Sequence, residues 1–326
     1  MKKLVSILLL VVLVFGLVAC GTSGTNNNGN GDEEKQYLVV MTPNATHGFT
    51  GQSVSDAQEG TERLAKEHGL EYKVVTSADA NEQAGQIEQI IAEEPDVVVL
   101  WPHDDTLKSA AQSFIDADIP VIIYDRLLTD FDQVAEVMGD NEEIGRQTGL
   151  YFNEFFKDND AETLNYVEFM GDNSSVPLQR SDGFHSTIED RFERLGQWST
   201  GWQRSEGQRI MEEFMGTEDF ANLDAIFTHD AEVALGVLTA LEGYEGEHNV
   251  KIVSAVSEPK QLLEKISYYS DLGIEVVTYT FNPNMVVDAV ELAIDYLDGE
   301  SLPELYLIPT EAVDVSNYED FVGWGS

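Results

Sequence analysis

From Gln36 onward, short apolar runs that suit buried strands alternate with longer amphipathic runs that suit helices. Tyr37–Met41, Tyr72–Val75, Asp96–Leu100, Pro120–Tyr124 and Val134–Met138 read as strands. Helices are expected between them over Ser53–Lys66, Glu82–Ala92 and Thr106–Ala117. The pattern then restarts with a helix at Asn141–Phe156. Strands follow at Asn165–Phe169, Ala225–Thr228, Val250–Val253, Glu275–Thr280 and Leu305–Pro309. The intervening helices are expected at Leu178–Leu195, Glu206–Phe214, Ala231–Leu241, Pro259–Ile266 and Pro283–Leu297. Alternation of this kind gives parallel sheets covered by helices on both faces. Two successive runs give an α/β chain with two similar doubly wound lobes.

Open parallel sheets bind ligands beyond the carboxyl ends of their strands. Asp125 and Arg126 follow a strand directly and offer an acceptor and a five-donor fork to neighbouring hydroxyls, or form a local ion pair. The segment after the first strand supplies Asn44 and Phe49, the latter a stacking ring or a loop anchor. Arg180 can reach a ligand oxygen or sit on the surface. Trp202, in a Gly-flanked loop, can stack on a sugar face, whereas Trp198 belongs in the core. Asp230 and Asn282 can bond a ligand, cap the helices that follow them, or do both.

Catalytic signatures are missing. The six histidines show no metal-ligand spacing, and no Gly-x-Ser-x-Gly elbow occurs. No phosphate-cradling glycine motif follows the first strand. Asp104-Asp105 point apart, and Asp105 is expected to cap the next helix. A binding protein without enzyme activity, cofactor or metal is expected.

Lys2 and Lys3 precede an apolar run, Leu4–Ala19, that is about 24 Å long as a helix at ~1.5 Å per residue. This suits a signal peptide over residues 1–19 better than a spanning helix. Leu17-Val18-Ala19-Cys20-Gly21 has the form of a lipobox, and Cys20 is the only cysteine. Cleavage before Cys20 and lipidation of its sulfur would place the chain outside the cytoplasm on a lipid anchor. Residues 20–35, rich in Gly, Asn, Ser and Thr, form a flexible tether. The net charge of −42 argues against nucleic acid and against a polybasic membrane contact.

On Tyr124-Asp125-Arg126, Gly139-Asp140-Asn141, Arg180 before Gly183-Phe184, Trp198…Gly201-Trp202 and Phe227-Thr228-His229-Asp230, the chain resembles the periplasmic-binding-protein type I family, the sugar-binding subunits of ABC importers. It is most similar there to ribose and xylose binders. The resemblance implies two lobes joined by three crossings near Gly139–Asp140, Phe281–Pro283 and Ser301–Pro303. The N-terminal lobe is then 36–139 plus 283–301, and the C-terminal lobe 140–282 plus 302–326. It also implies a monosaccharide or polyol ligand held by Asp125, Arg126, Arg180 and Trp202, with a permease as partner and a monomeric chain. Asp230 stands where the family usually has Asn. Val256 stands where it usually has Asp, and Phe281 or Asn282 where it has Gln or Lys, so the C-terminal lobe offers fewer polar contacts. A protein of this fold can instead present its ligand to a membrane receptor or histidine kinase.

Overall fold

The computed structural model describes residues 35–45 and 48–325. Cys20, the leader and the tether lie outside those residues. The described chain carries two six-stranded sheets. The first has the order β11-β5-β4-β3-β1-β2 and the second β12-β10-β9-β8-β6-β7.

The first sheet contains β1 (Tyr37–Pro43), β2 (Glu71–Ser77), β3 (Val97–Leu100), β4 (Val121–Tyr124), β5 (Ala135–Gly139) and, returning late in the chain, β11 (Leu305–Ile308), all parallel. Helices α1 (Gly48–His68), α2 (Ala80–Ile91) and α3 (Lys108–Asp116) connect them. After β5 the chain crosses to the second lobe. There α4 (Asn141–Phe155), β6 (Leu164–Met170), α5 (Ser175–His185) and β7 (Phe192–Ser199) follow in turn. Next come α6 (Arg204–Met215), β8 (Ala225–Thr228), α7 (Ala231–Glu242) and β9 (Ile252–Ser254). The lobe continues with α8 (Lys260–Asp271) and β10 (Glu275–Tyr279). The chain then returns through α9 (Met285–Leu297) and β11 (Leu305–Ile308) and ends with β12 (Ala312–Val313).

The strands are continuous apolar runs because helices cover both faces: Val97–Leu100 and Val121–Tyr124 are fully buried. One face of each sheet joins a single apolar core that runs through the hinge and includes Trp101, Tyr124, Tyr279 and Phe281. The opposite faces form separate cores, one per lobe.

Four expectations change. Helix α1 begins at Gly48 rather than Ser53, so Phe49 sits in its first turn, anchored by packing that outweighs the two glycines of that turn. Helix α5 stops at His185. The stretch expected to extend it contains β7, an edge strand whose exposed residues hide its alternation. Asp104, not Asp105, caps the turn after β3, accepting from Thr106 N at 2.9 Å, while Asp105 accepts from Thr129 N at 2.7 Å. Finally, β11 pairs in parallel with β5, which puts residues 305–308 in the N-terminal lobe. The third crossing therefore falls at 309–311 instead of Ser301–Pro303, because apolar periodicity does not reveal which sheet a strand joins.

The crossings are bonded to one another. Asp140 N donates to Ile308 O at 3.3 Å, and Thr280 N donates to Glu311 O at 2.9 Å. Glu311 N donates to Thr280 Oγ1 at 2.9 Å, and Thr310 Oγ1 to Thr280 O at 3.1 Å. The Phe281 ring lies on Gly139, where any Cβ would come within 2.1 Å of it.

Candidate functional site

A cavity of about 640 Å³ lies between the lobes at the carboxyl ends of their strands. From the first lobe, β4 delivers Asp125 in the left-handed region, at φ +67°. Its amide donates to Val137 O at 3.0 Å, and Asp tolerates this conformation better than most residues. The carboxylate is buried. Burial pushes its pKa up to about 6, against the pull of Arg126 and Arg180.

Arg126 spans the lobes. Nη1 donates to His103 O in its own lobe, and Nη2 stands 3.0 Å from Asp172 in the other. Its guanidinium lies 5.8 Å from the Trp101 ring centre. Leu127 N adds a second tie, donating to Ser175 Oγ at 3.2 Å.

Arg180, on α5, is only 2 % exposed. Nε donates to Asn141 Oδ1 at 2.9 Å and Nη1 to His229 O, while Nη2 has no partner. The guanidinium lies between Phe281 (4.6 Å) and Trp202 (5.9 Å). Burial lowers its pKa to about 10, with Asp125 and Asp230 opposing. A buried, charged donor with no protein partner, on a residue that lines a cavity, is a ready partner for a ligand oxygen.

Asp230 meets both sequence readings. Oδ1 accepts from Glu232 N at 2.7 Å and Val233 N at 3.1 Å, capping α7, and the residue also lines the cavity. Burial pushes its pKa up to about 7. Behind it, His229 Nε2 is 3.2 Å from Glu168 Oε1, and Arg194 Nη1 is 2.7 Å from Glu168 Oε2. That network, buried at Glu168 and His229, holds the His229 ring beside the carbonyl that accepts from Arg180.

Trp202 lies in the turn after β7, at φ +64°. A Cβ on Gly171 would come within 2.1 Å of its indole, so that glycine seats the ring. Phe49 packs against Phe281 (centroids 5.2 Å) and edge-on to Trp101 (6.1 Å), forming an aromatic wall.

The cavity thus gathers Asp125, Arg126, Arg180, Trp202, Asp230 and Phe49. Asn44 and Asn282 do not line it. Asn44 is exposed at the end of β1, its amide donating to Ser77 O at 2.7 Å. Asn282 Oδ1 accepts from Asn284 N at 3.0 Å, a local turn before α9. Trp198 is half-buried against the second lobe's core. Sequence reasoning missed Trp101 and Ser257 as lining residues, although both follow strands and the strand-end rule covers them. Gln203, Arg204 and Gln208 at the start of α6 carried no such signal.

The arrangement can hold a small polar molecule, with acceptors and a charged donor on some walls and aromatic faces on others. Among the described residues no cluster of His, Cys, Asp and Glu is arranged to hold a metal ion.

Known proteins resemble the chain over most of its length. The chain is 24% identical over 291 residues to the ribose import binding protein of Bacillus subtilis, covering 82% of this chain and 91% of that one. It is 23% identical over 332 residues to the fructose import binding protein of Bifidobacterium longum, covering 98% and 96%. An ABC-transporter solute-binding protein from Bacillus halodurans, solved with bound myo-inositol, superposes with a TM-score of 0.75 at 23% identity, covering 88% of this chain and 97% of that one. A family model described as periplasmic binding protein domain matches residues 38–301. With that match spanning most of its length and the two-lobed α/β fold around the cleft, the chain belongs to the periplasmic binding protein domain family.

Proposed function

We propose that this chain is an extracytoplasmic solute-binding protein that captures a monosaccharide or cyclic polyol between its lobes and delivers it to an ABC importer. It does so as a monomer, held at the membrane by a lipid on Cys20, and leaves the ligand chemically unchanged. The observation that carries this reading is the combination, around one cavity, of the unpartnered Nη2 of Arg180 and the buried carboxylates Asp125 and Asp230 with the rings of Phe49, Trp101 and Trp202. Hydroxyls donate to carboxylates and accept from guanidinium, while the apolar face of a sugar ring stacks on aromatics. The names of the curated relatives, which import ribose and fructose, support the same class.

The cavity also favours a neutral ligand. Arg126 is shared between Asp172 at 3.0 Å and Asp125 at 3.7 Å, and Arg204 pairs with Glu232 at 2.9 Å, which leaves Arg180 as the remaining cation against Asp125 and Asp230. A phosphate or carboxylate would add a negative charge beside two buried acids.

Calorimetry on residues 36–326 with a panel of pentoses, hexoses, cyclitols and their phosphates and uronic acids tests the reading. Saturable binding of a neutral member is expected, with the ligand recovered intact. No binding across the panel, or preference for the anionic members, rejects it.

A further inference from the structure

Trp324 lies outside the cavity but is bonded to its wall. Gly323 turns the chain at φ +65°, where a Cβ would lie 3.0 Å from Glu258 O. Trp324 N then donates to Glu258 O at 3.2 Å, and Lys260 N donates to Trp324 O at 3.0 Å. So held, the indole Nε1 donates to Ser257 Oγ at 2.8 Å. The ring meets Phe49 of the other lobe edge-on, with centroids 6.2 Å apart.

Ser257 lines the cavity and is 2 % exposed. It sits at φ +83°, uncommon for a serine, and its amide donates to Tyr279 O at 2.8 Å. Its Oγ is 2.7 Å from Phe281 O. An indole N–H only donates and a carbonyl only accepts. The single hydroxyl proton of Ser257 is therefore committed to Phe281, and one lone pair of Oγ is committed to Trp324. What remains of the hydroxyl is a second lone pair.

We infer that Trp324 is a positioning residue of the ligand site. Phe281 O takes the Ser257 proton and the indole takes one lone pair, so Trp324 fixes the direction of the remaining lone pair, and this wall selects a ligand that presents a hydroxyl donor there. Its ring braces Phe49, which packs on Phe281, so the end of the chain steadies the aromatic wall from behind. The inference rests on the solute-binding reading, which it extends to a residue that touches no ligand.

Two measurements test it. In chain labelled at its indole nitrogens, the Trp324 proton is assigned by its loss in Trp324→Phe. It is expected to exchange slowly with solvent and to shift in Ser257→Gly, a substitution the positive φ accommodates. An indole proton that exchanges freely and ignores Ser257→Gly overturns the inference without reference to any ligand. Binding is then measured with D-ribose, D-fructose and myo-inositol, using whichever the unsubstituted chain takes up. Trp324→Phe keeps the ring against Phe49 but removes the donor. It is expected to weaken binding about three- to tenfold, in line with one lost hydrogen bond. Ser257→Gly should do the same, and the double variant should be no worse than either single one. An unchanged dissociation constant in Trp324→Phe, or losses that simply add, overturns the inference. A chain that binds none of the three sugars counts against the solute-binding reading instead, and the indole response still decides the bond.

Discussion

Arg126 of the first lobe and Asp172 of the second stand 3.0 Å apart across the cleft, with side chains 12% and 32% exposed. The pair is thus a tie between lobes as well as part of the cavity rim. A partly exposed ion pair contributes about 1 kcal/mol or less, and salt weakens it. Asp172→Asn is therefore expected to shift the ligand-free chain toward a more open form and weaken ligand binding by about two- to fivefold. Small-angle scattering should show a larger radius of gyration without ligand. High salt should enlarge the unsubstituted chain but not the variant. Identical scattering curves would rule the tie out.

Asp125 and Asp230 make stability depend on pH. Burial raises both carboxyl groups, to about 6 and about 7. Between the ordinary carboxylate range near ~4 and those values, the folded chain holds protons that the unfolded chain has released. These two groups therefore favour folding most at low pH, and that contribution is lost as pH rises toward about 7. Asn caps a helix as well as Asp does. Asp230→Asn should accordingly melt a few degrees higher at pH 8 and lose less stability between pH 5 and 7.5. Calorimetric melting of the ligand-free chain checks this; a pH slope unaffected by the substitution would refute it.

Gly171 seats Trp202, since a methyl group there would lie 2.1 Å from the indole. Gly171→Ala should push the ring out of position and lower affinity at least tenfold. The overpacking itself is expected to destabilise the chain by about 1–3 kcal/mol. Retained affinity in the alanine variant would show that Trp202 does not contribute to the ligand contact.

Cys20 carries the proposed lipid anchor. Cys20→Ser is expected to leave sugar binding by the folded body unchanged while releasing the protein from the membrane fraction. Fractionation of cells expressing each form checks it, and a serine variant that stays membrane-bound would argue against lipid attachment.

Much of this molecule was legible in its sequence. Continuous apolar strands such as Val97–Leu100 and Val121–Tyr124 announced buried parallel sheets, and the strand-end rule led to Asp125 and Asp230. The same rule also put forward Asn44, which is exposed with its backbone N–H bonded to Ser77 O across β1 and β2, and Asn282, whose side chain is engaged in a local turn. Position after a strand does not determine whether a side chain faces the cleft. The sheet that Leu305–Ile308 joins was hidden for a related reason: pairing with β5 is a long-range choice that periodicity does not record. Trp324 had no local signal at all, because its bond to Ser257 spans 67 positions. Edge strand β7 was masked by its polar, exposed residues.

The three crossings between the lobes are laced to one another through Asp140–Ile308 and through Thr280 with Thr310 and Glu311. Sliding or twisting one lobe against the other would break these bonds, whereas a common bend keeps them. This lacing restricts relative motion of the lobes to a hinge-like bend, as of a door on one pin. Under the proposed function, a ligand caught by either lobe would meet the other along a fixed arc, with no search over relative orientations.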